Sequence, residues 1–429
     1  MQFPAETQPS KDAYGDSLSL AAVEWGLAVA ALPAIAVRTH SPIGLAHWAL
    51  VAHYLAIAYG CHLLRTLRLF PNALSQRRNG FLLLIAGSLA CAAAPDAYTL
   101  VAARLPQAFG IACLLAARPR DRVTSHLPVV PIIIGLLVGS LLASFGGWRV
   151  VFLVMALIGL FAAMRHWPCK CCADDSSEAH PLQELPPKRH PTFLASGLAC
   201  IIVPVNSYCD FRVFGLAEAV LLLVGIGLFS SYARDAVRDL ITRRSSLLGL
   251  WLGAIIAGLC LLPAMFHIPD FSAAIPSLGI ASCGLTLRLV RSAPPALNRF
   301  APPAGFLLLA NILWAAHSLV AMESLPVLAA MAATVGAALG LTWTGRELRP
   351  VPLFSGLAAG IYAASYFLEF IPASFGSLPS PDARDFFHEE SSVLLVGACV
   401  AFLGLAWSVV CAPQPQVSGR GKSGAGKGI

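Results

Sequence analysis

An acidic residue and a basic residue stand alone within two long apolar stretches of the sequence. Glu24 is the only charged residue between Leu18 and Val37, and Arg104 is the only one within residues 98–117. A guanidinium stays charged under nearly all conditions, whereas a carboxyl group that is shielded from water beside a positive charge can gain and lose a proton. If the two stretches are helices of one bundle, Glu24 and Arg104 form a proton-exchanging pair inside a membrane. The alternative is that both are structural buried polar groups.

Weaker candidates are polar or small residues in the other apolar stretches. Gln107 lies three residues after Arg104, so the two share a helical face, and Pro106 between them has no backbone N–H. Gly135 and Gly139 have the spacing that lets two helices pack closely, which is also common in ordinary packing. We expect residues of a substrate cavity or a gating contact among the following: Gln107, Gly110, Gly135, Gly139, Glu218, Asn311, His317 and Glu369.

Two of these acids and three histidines have a simpler explanation. Glu218 and Glu369 lie near the ends of their stretches, where a carboxylate can reach the membrane interface. For His53, His62 and His317 a neutral imidazole is the default expectation, and a proton relay is the second possibility.

The composition is that of a membrane protein. The chain has 429 residues, of which 57% are hydrophobic and 12% charged, and its mean hydropathy is +0.73. A soluble domain carries about 25% charged residues. Apolar stretches of close to the ~20 residues that cross a bilayer as a helix recur from end to end. We therefore predict an all-α polytopic membrane protein with about fourteen transmembrane helices, the shortest stretches being 149–164, 193–208 and 271–287.

The placement of basic residues predicts the topology. With fourteen spans and the N-terminus inside, most of the 29 Lys and Arg residues fall in cytoplasmic loops, as the positive-inside rule requires. An error in one early helix would reverse every later loop. We therefore expect a multi-pass protein of the plasma (inner) membrane, with both termini cytoplasmic and the first helix retained. The net charge of +7 then faces the anionic inner leaflet, and no nucleic acid is needed to explain it.

Loop lengths predict the domain organisation. A polar, Pro-rich stretch interrupts the apolar pattern after the sixth helix, and a Gly-rich stretch ends the chain. We predict a cytoplasmic N-terminal segment (1–17), an N-terminal six-helix bundle (18–165) and a cytoplasmic linker (166–192). Two additional transmembrane helices (193–231), a C-terminal six-helix bundle (232–411) and a disordered cytoplasmic tail (412–429) follow.

Motifs for metals, nucleotides and catalysis are incomplete. The cysteines of CKCC at 169–172, between His166 and His180, do not form a CxxC pair and have no second pair. The tail sequence GKSGAGKG at 421–428 lacks the Ser or Thr and the strand–helix context of a phosphate-binding loop. We expect no cofactor and no direct ATP coupling, with the proton gradient as energy source.

Enzymatic activity is not supported by the sequence. No nucleophile and base occur at a recognisable spacing, and a membrane-embedded transferase or lipid-processing enzyme would need polar clusters in extracytoplasmic loops. The best such cluster is PDARDFFHEE at 381–390, which reads more simply as a solvated acidic loop. The partners we expect are the lipid bilayer, a small-molecule substrate and the proton.

The first and fourth stretches resemble motifs of the fourteen-span drug/proton antiporters of the major facilitator superfamily. In that family an acid stands nine positions before the proline of an Ala-Leu-Pro, as Glu24 does before Pro33. The family's Arg-x-x-Gln-Gly-x-Gly motif is matched at Arg104, Gln107 and Gly110, whereas Ala108 replaces its first glycine. The intervening Thr and Asn of the first motif are Gly26 and Val29 here.

The fifth and sixth stretches extend the resemblance to about residues 18–165. The family has Gly-Pro-x-x-Gly-Gly and then Gly-Trp-Arg-Trp-x-Phe, and this chain has GLLVGS and GWRVVF. The matching positions are Gly135, Gly139, Gly147, Trp148, Arg149 and Phe152, while Leu136 and Ser140 depart from the pattern. The resemblance implies the major facilitator fold and proton-coupled export of small amphipathic or lipophilic compounds, with Glu24 and Arg104 in proton coupling.

One departure leaves the function open. The family's loop between helices two and three carries a Gly-x-x-x-Asp-Arg-x-Gly-Arg-Arg pattern that is implicated in its conformational switch. Here the loop reads RTLRLFPNALSQRRNG, which keeps basic residues but lacks the acid and the internal glycine. The chain is therefore either a transporter with altered gating or a non-transporting membrane scaffold or sensor on a degraded transporter fold.

Overall fold

The structure is a computed structural model that describes residues 12–39, 43–67, 69–70, 73–117, 128–166, 197, 200, 222–227, 246–266, 274–318, 325–343, 353–364 and 383–410. All regular secondary structure within these ranges is helical, which confirms the predicted all-α class. Apart from a short helical segment at 222–227, the helices are α1 Asp12–Thr39, α2 Ile43–Leu67, α3 Ala73–Ala93, α4 Ala97–Ala116, α5 Val129–Gly146, α6 Trp148–His166, α7 Ser246–Phe266, α8 Ala274–Ser292, α9 Pro295–Ser318, α10 Leu325–Thr342, α11 Leu353–Ala364 and α12 Ala383–Val410.

Several helices have the length and composition of membrane spans. Within the described ranges four reach both criteria, namely Ser19–Thr39, Ala97–Ala116, Val129–Gly146 and Trp148–Arg165, and five shorter apolar helices accompany them. Their outer faces carry exposed apolar side chains such as Phe145, Leu157 and Phe161, as a lipid-facing surface requires. The chain is thus a polytopic membrane protein, while the count of fourteen spans stays a prediction.

The helix ends of α1 and α12 differ from the expectation. α1 begins at Asp12, inside the segment that we predicted to precede the first span. α12 begins at Ala383, so most of the stretch that we interpreted as an acidic loop at 381–390 is helical. The predicted linker beyond His166, the tail 412–429 and most of the two additional helices at 193–231 lie outside the described residues, so the domain boundaries stay predictions.

Short turns join the helices of the first half by local chemistry. Asp96 is the N-cap of α4: its carboxylate accepts the backbone N–H of Thr99 at 2.8 Å, and the Thr99 hydroxyl accepts the Asp96 N–H at 3.3 Å. This reciprocal pair is a capping box. Gly147, between α5 and α6, has φ of 78°, a left-handed conformation that glycine adopts without steric cost.

The two sets of helices, α1–α6 and α7–α12, pack in the same pattern. In the first half the contacting pairs include α1–α5, α1–α6, α2–α4, α3–α4 and α3–α6. Adding six to each number gives pairs that also contact each other in the second half: α7–α11, α7–α12, α8–α10, α9–α10 and α9–α12. Such an internal repeat is how many secondary transporters are built.

Glycines bring the equivalent helix pairs to their closest approach. A Cβ built on Gly135 of α5 would lie 3.1 Å from the Cα of Gly26 in α1. In the second half, a Cβ on Gly258 of α7 would lie 3.0 Å from the Cα of Gly360 in α11. Because backbone lies against backbone at both crossings, no side chain fits between these helices.

The halves meet along pairs of helices that the same repeat relates. α5 contacts α8, where Gly284 faces Val129, and α1 contacts α7. α2 meets α11 through aromatic side chains: the rings of Trp48 and Tyr362 have centroids 5.7 Å apart. The repeat exchanges the α5–α8 contact with the α2–α11 contact, so both contacts belong to one pseudo-twofold interface.

Candidate functional site

The two charges singled out in the sequence form a buried ion pair. Arg104 Nη1 of α4 donates to Glu24 Oε1 of α1 at 2.5 Å, and the side chains are only 1% and 2% exposed. α1 and α4 contact each other in the first half, and the two residues are 80 positions apart in the chain. An unpaired charge buried in this environment is very costly, so the folded state depends on both charges being present together.

Further contacts fix the orientation of the Arg104 guanidinium. Nη1 also donates to Gln107 Oε1 at 2.5 Å, one turn along the same helix, and Nε donates to the backbone carbonyl of Ala49 in α2 at 3.4 Å. The guanidinium carbon lies 5.4 Å from the ring centroid of Phe152 in α6, within the range of a cation–π contact. Arg104 thus connects α1, α2 and α6 to α4.

Gln107 extends the polar network from α4 into α3. Its Nε2 donates to Ser88 Oγ at 2.9 Å, and the Ser88 hydroxyl donates to the Leu84 carbonyl at 2.7 Å. The thiol of Cys91 lies 3.7 Å from Gln107 Oε1. The close approach of α3 to α4 at Gln107 depends on Gly87, because a Cβ there would lie 2.7 Å from the Gln107 Cα. The sequence places Gln107 on the face of Arg104, and the structure shows both side chains in one network.

His53 of α2, for which we expected a neutral imidazole by default and a proton relay as the second possibility, lies against the ion pair. Its Nε2 lies 3.1 Å from Glu24 Oε2, and its Nδ1 lies 3.3 Å from the backbone carbonyl oxygen of Arg104. The imidazole is completely buried. Glu24 therefore has one oxygen on Arg104 and the other on His53. No spacing in the sequence links residue 53 to residues 24 and 104, so only the packing of α1, α2 and α4 reveals this partner.

The glycines among the expected site residues act in helix packing. Gly110 of α4 faces the backbone of α3, where a Cβ would lie 2.6 Å from the Leu84 nitrogen. Gly135 and Gly139 of α5 lie against the backbone of α1, and a Cβ on Gly139 would lie 2.9 Å from the Leu27 Cα. They hold α1, which carries Glu24, in place.

The other expected site residues are not part of the Glu24 network as the structure describes it. Asn311 is exposed on α9, and its Nδ2 donates to the Leu307 carbonyl of its own helix at 2.8 Å. His317 lies near the end of α9, but its side chain is outside the described part. Glu218 and Glu369 also lie outside the described residues.

Buried charge is confined to the first half of the described chain. Glu24 and Arg104 are the charged residues among its buried side chains, and His47 and His53 are the buried histidines. Among the residues that the structure describes in the second half, the buried polar ones are Ser277, Thr342, Ser355 and Ser408, which all carry hydroxyl groups. Within the described ranges no three His, Cys, Asp or Glu residues lie close enough together to hold a metal ion. The Glu24 carboxyl and the His53 imidazole are groups of this network that can bind a proton.

Comparison with known proteins identifies the fold. No sequence-family description and no curated protein sequence matches the chain. Among solved structures, a bacterial homologue of the human drug peptide transporters PepT1 and PepT2 matches with a TM-score of 0.57 at 13% identity, covering 94% of this chain and 97% of that one. The POT family transporter PepTSo matches with a TM-score of 0.55 at 13% identity, covering 94% and 99% respectively.

A sugar transporter has the same architecture. The major facilitator superfamily proton:xylose symporter XylE, bound to 6-bromo-6-deoxy-D-glucose, matches with a TM-score of 0.53 at 13% identity, and the alignment covers 94% of this chain and 97% of XylE. At this level of identity the matches establish the fold alone. The chain therefore has the major facilitator fold, as the resemblance in its first six helices implies.

Proposed function

We propose that this protein is a secondary transporter that couples the movement of a small molecule to the proton gradient by alternating access. The observation that carries the proposal is the buried Glu24–Arg104 ion pair within a two-half fold of the transporter type. Stability alone does not explain a buried ion pair, because apolar residues of similar size often stabilise the folded state as well or better. An ionisable residue within a membrane bundle is by default a functional candidate.

Proton exchange at Glu24 changes the charge of the site. With Glu24 ionised, its negative charge balances Arg104; with Glu24 protonated, the guanidinium charge is uncompensated. Arg104 keeps its other acceptors on Gln107 and Ala49 in either state. The two halves would then rock about the α2–α11 and α5–α8 contacts, exposing the site to each side of the membrane in turn.

The substrate in this proposal is a small amphipathic or lipophilic compound. The second half supports it, because its described side chains bury no charge that would select a charged substrate. Export in exchange for protons rests on the resemblance to drug/proton antiporters alone. The similar structures named above are described as peptide transporters and a xylose symporter, so peptides and sugars, moved together with the proton, belong among the compounds to be tested.

A specific departure favours a second candidate function. The loop between α2 and α3 lacks the acidic residue of the family pattern. If the conformational switch has been lost with it, the chain is a membrane scaffold or sensor that keeps the transporter fold without transporting.

Reconstitution into proteoliposomes separates the two candidates. A thermal-stability screen of the purified protein against lipophilic drugs, dipeptides and pentoses would select ligands. Proteoliposomes containing a pH-sensitive dye would then report proton movement driven by a gradient of the selected ligand. We expect such movement in the unmodified protein and its loss in Glu24→Gln, which keeps the shape of the side chain and cannot ionise. Ligand binding without any coupled proton movement would favour the scaffold or sensor.

A further inference from the structure

The hydrogen bonds of His53 determine where its protons lie. Nδ1 is 3.3 Å from the carbonyl oxygen of Arg104, and a carbonyl oxygen can only accept. A hydrogen bond at this contact therefore requires a hydrogen on Nδ1. A neutral imidazole with its hydrogen on Nδ1 has only a lone pair on Nε2.

That lone pair lies opposite a second acceptor. Nε2 is 3.1 Å from Glu24 Oε2, and an ionised carboxylate also only accepts. Two lone pairs at this distance repel unless a hydrogen lies between them. The hydrogen is either on Oε2, which makes Glu24 a carboxylic acid, or on Nε2, which makes His53 an imidazolium beside a carboxylate. Both arrangements have the same total number of protons and the same total charge.

We infer that Glu24 and His53 together bind one exchangeable proton, and that the structure shown is the loaded form. This rests on the proposed function and deepens it, because it makes His53 a second proton-binding residue of the same site. Loaded, the group of Glu24, His53 and Arg104 carries a net charge of +1. After one proton has left, Glu24 is ionised, His53 is neutral, and the group carries no net charge.

Release of the proton requires a change of tautomer. In the unloaded group the remaining imidazole hydrogen must be on Nε2, where it donates to the Glu24 carboxylate. Nδ1 then has a lone pair and no longer donates to the Arg104 carbonyl, so a contact between α2 and α4 is lost. Release therefore breaks the Nδ1–H bond and removes one hydrogen bond, that from Nδ1 to the Arg104 carbonyl, while the hydrogen between Nε2 and Glu24 Oε2 ends on Nε2. His53 in this way converts proton release into a change in the packing of α2.

The other groups that face this pair do not replace His53. Among the described side chains, α1 contributes Glu24, α4 contributes Arg104 and Gln107, and α3 contributes Cys91, whose thiol lies against Gln107. Tyr54 lies beside His53 on α2, with its ring against Phe354 of α11. Tyrosine and cysteine are ordinarily uncharged at neutral pH, and phenylalanine does not titrate.

Nitrogen NMR on the full-length protein tests the inference without a substrate. The chain has 11 histidines, and with 15N-labelled histidine in lipid nanodiscs the signals of His53 are those that vanish in His53→Gln. We expect Nδ1 of His53 to be protonated at low pH and unprotonated at high pH, with Nε2 protonated at high pH. In Glu24→Gln we expect the hydrogen to stay on Nδ1 throughout, because the pair has lost its shared proton.

A matched control comes from the same helix. His47 is also a completely buried histidine of α2, and we expect His47→Gln to leave the His53 signals unchanged. A His53 that keeps one tautomer at all pH values in the unmodified protein would overturn the inference, as would a switch that persists in Glu24→Gln. Either result would leave proton coupling through Glu24 alone possible, and a failure to detect transport would not affect the spectra. If Glu24→Gln does not fold, the unmodified protein alone decides, since the tautomer at low pH is read directly.

Discussion

Tyr54 of α2 and Phe354 of α11 pack ring against ring across the boundary between the two halves, with centroids 5.8 Å apart and planes tilted by 35°. Tyr54 is the residue that follows His53. The helix that holds one partner of Glu24 is therefore the helix that contacts the other half. A shift of α2 at the ion pair must change this contact, and a movement between the halves must in turn disturb the hydrogen bonds of His53.

Substitutions of Arg104 separate its charge from its geometry. Arg104→Lys keeps the charge, but a lysine ammonium lacks the planar fork that serves Glu24, Gln107 and the Ala49 carbonyl together. Arg104→Met keeps roughly the length and removes the charge. We expect proton-coupled transport to be impaired in the Lys variant and absent in the Met variant, with both inserted and folded. Full activity of the Met variant would show that Arg104 is structural only.

The stability of the same variants shows whether the two charges depend on each other. Removing one partner of a buried ion pair leaves the other unpaired, which costs about 3–5 kcal/mol, whereas removing both is often nearly neutral. We therefore expect Arg104→Met and Glu24→Gln each to lower the unfolding temperature in detergent, and the double variant to be more stable than either. Additive losses would contradict the ion pair as described.

The α1–α5 crossing predicts that Gly135 cannot be enlarged. A Cβ there would lie 3.1 Å from both the Gly26 Cα and the Leu27 nitrogen, which are backbone atoms that cannot turn away. We expect Gly135→Ala to lower the free energy of unfolding by about 1–3 kcal/mol. Gly159→Ala of α6 is the control, because a Cβ there would meet side-chain atoms and no backbone, namely Ile85 Cγ1 at 3.2 Å and Leu84 Cδ2 at 3.6 Å. Equal decreases in the free energy of unfolding of both variants would show that the close α1–α5 crossing does not determine the effect.

The cap of α4 predicts a dependence of stability on pH. Hydrogen bonds from the backbone N–H and the hydroxyl of Thr99 hold the pKa of the Asp96 carboxyl below its usual value of 3.8. The ionised form is favoured in the folded state, so its stabilisation is present above pH 3.8 and is lost as the pH falls through the lower folded value. We expect Asp96→Ala to unfold at a lower temperature at pH 7, with a difference that shrinks below pH 3.8.

Asparagine provides the control at this position. It caps helices about as well as aspartate and does not ionise, so Asp96→Asn should stay close to the unmodified protein at pH 7. A difference between the Ala variant and the unmodified protein that does not change with pH would contradict the role of the ionised carboxylate.

The positive-inside pattern predicts on which side of the membrane α3 and α4 each begin. Arg78 and Tyr98 are both exposed in the structure. In intact cells we expect a membrane-impermeant thiol reagent to label Tyr98→Cys and to label Arg78→Cys only after permeabilisation, relative to the background of the native cysteines. External labelling of Arg78→Cys would reverse the topology.

Hydropathy located the helices well because the bilayer constrains span length. α6 was expected at 149–164 and lies at Trp148–His166; α4 was expected at 98–117 and lies at Ala97–Ala116. Charged ends were predicted less well. α3 begins at Ala73 and includes Arg77 and Arg78, which we expected in a loop, and the polar beginnings of α1 and α12 were missed in the same way. A helix can continue beyond the hydrocarbon, and hydropathy does not report that part.

The pairing of Glu24 with Arg104 could be anticipated because two lone charges in one membrane bundle have few alternatives. The roles of Ser88 and His53 could not be predicted, because they depend on how α2 and α3 are rotated against α4. Such rotation is set by glycine crossings such as Gly87 against Gln107, and a sequence with many glycines offers many crossings. The repeat between the halves was likewise visible only in the packing of the helices.

The separation of Glu24 from Arg104 along the chain has a consequence for biosynthesis. The ribosome adds roughly 5–20 residues per second, so Arg104, 80 residues after Glu24, follows it by roughly 4–16 s at that speed. A lone acid in the middle of a membrane helix costs about 2.5–3.5 kcal/mol on insertion scales. His53 emerges only 29 residues after Glu24, so during synthesis the imidazole is available to the acid well before the guanidinium. The hairpin of α1 and α2 can therefore enter the bilayer with its acid already paired, while α4 is still being made.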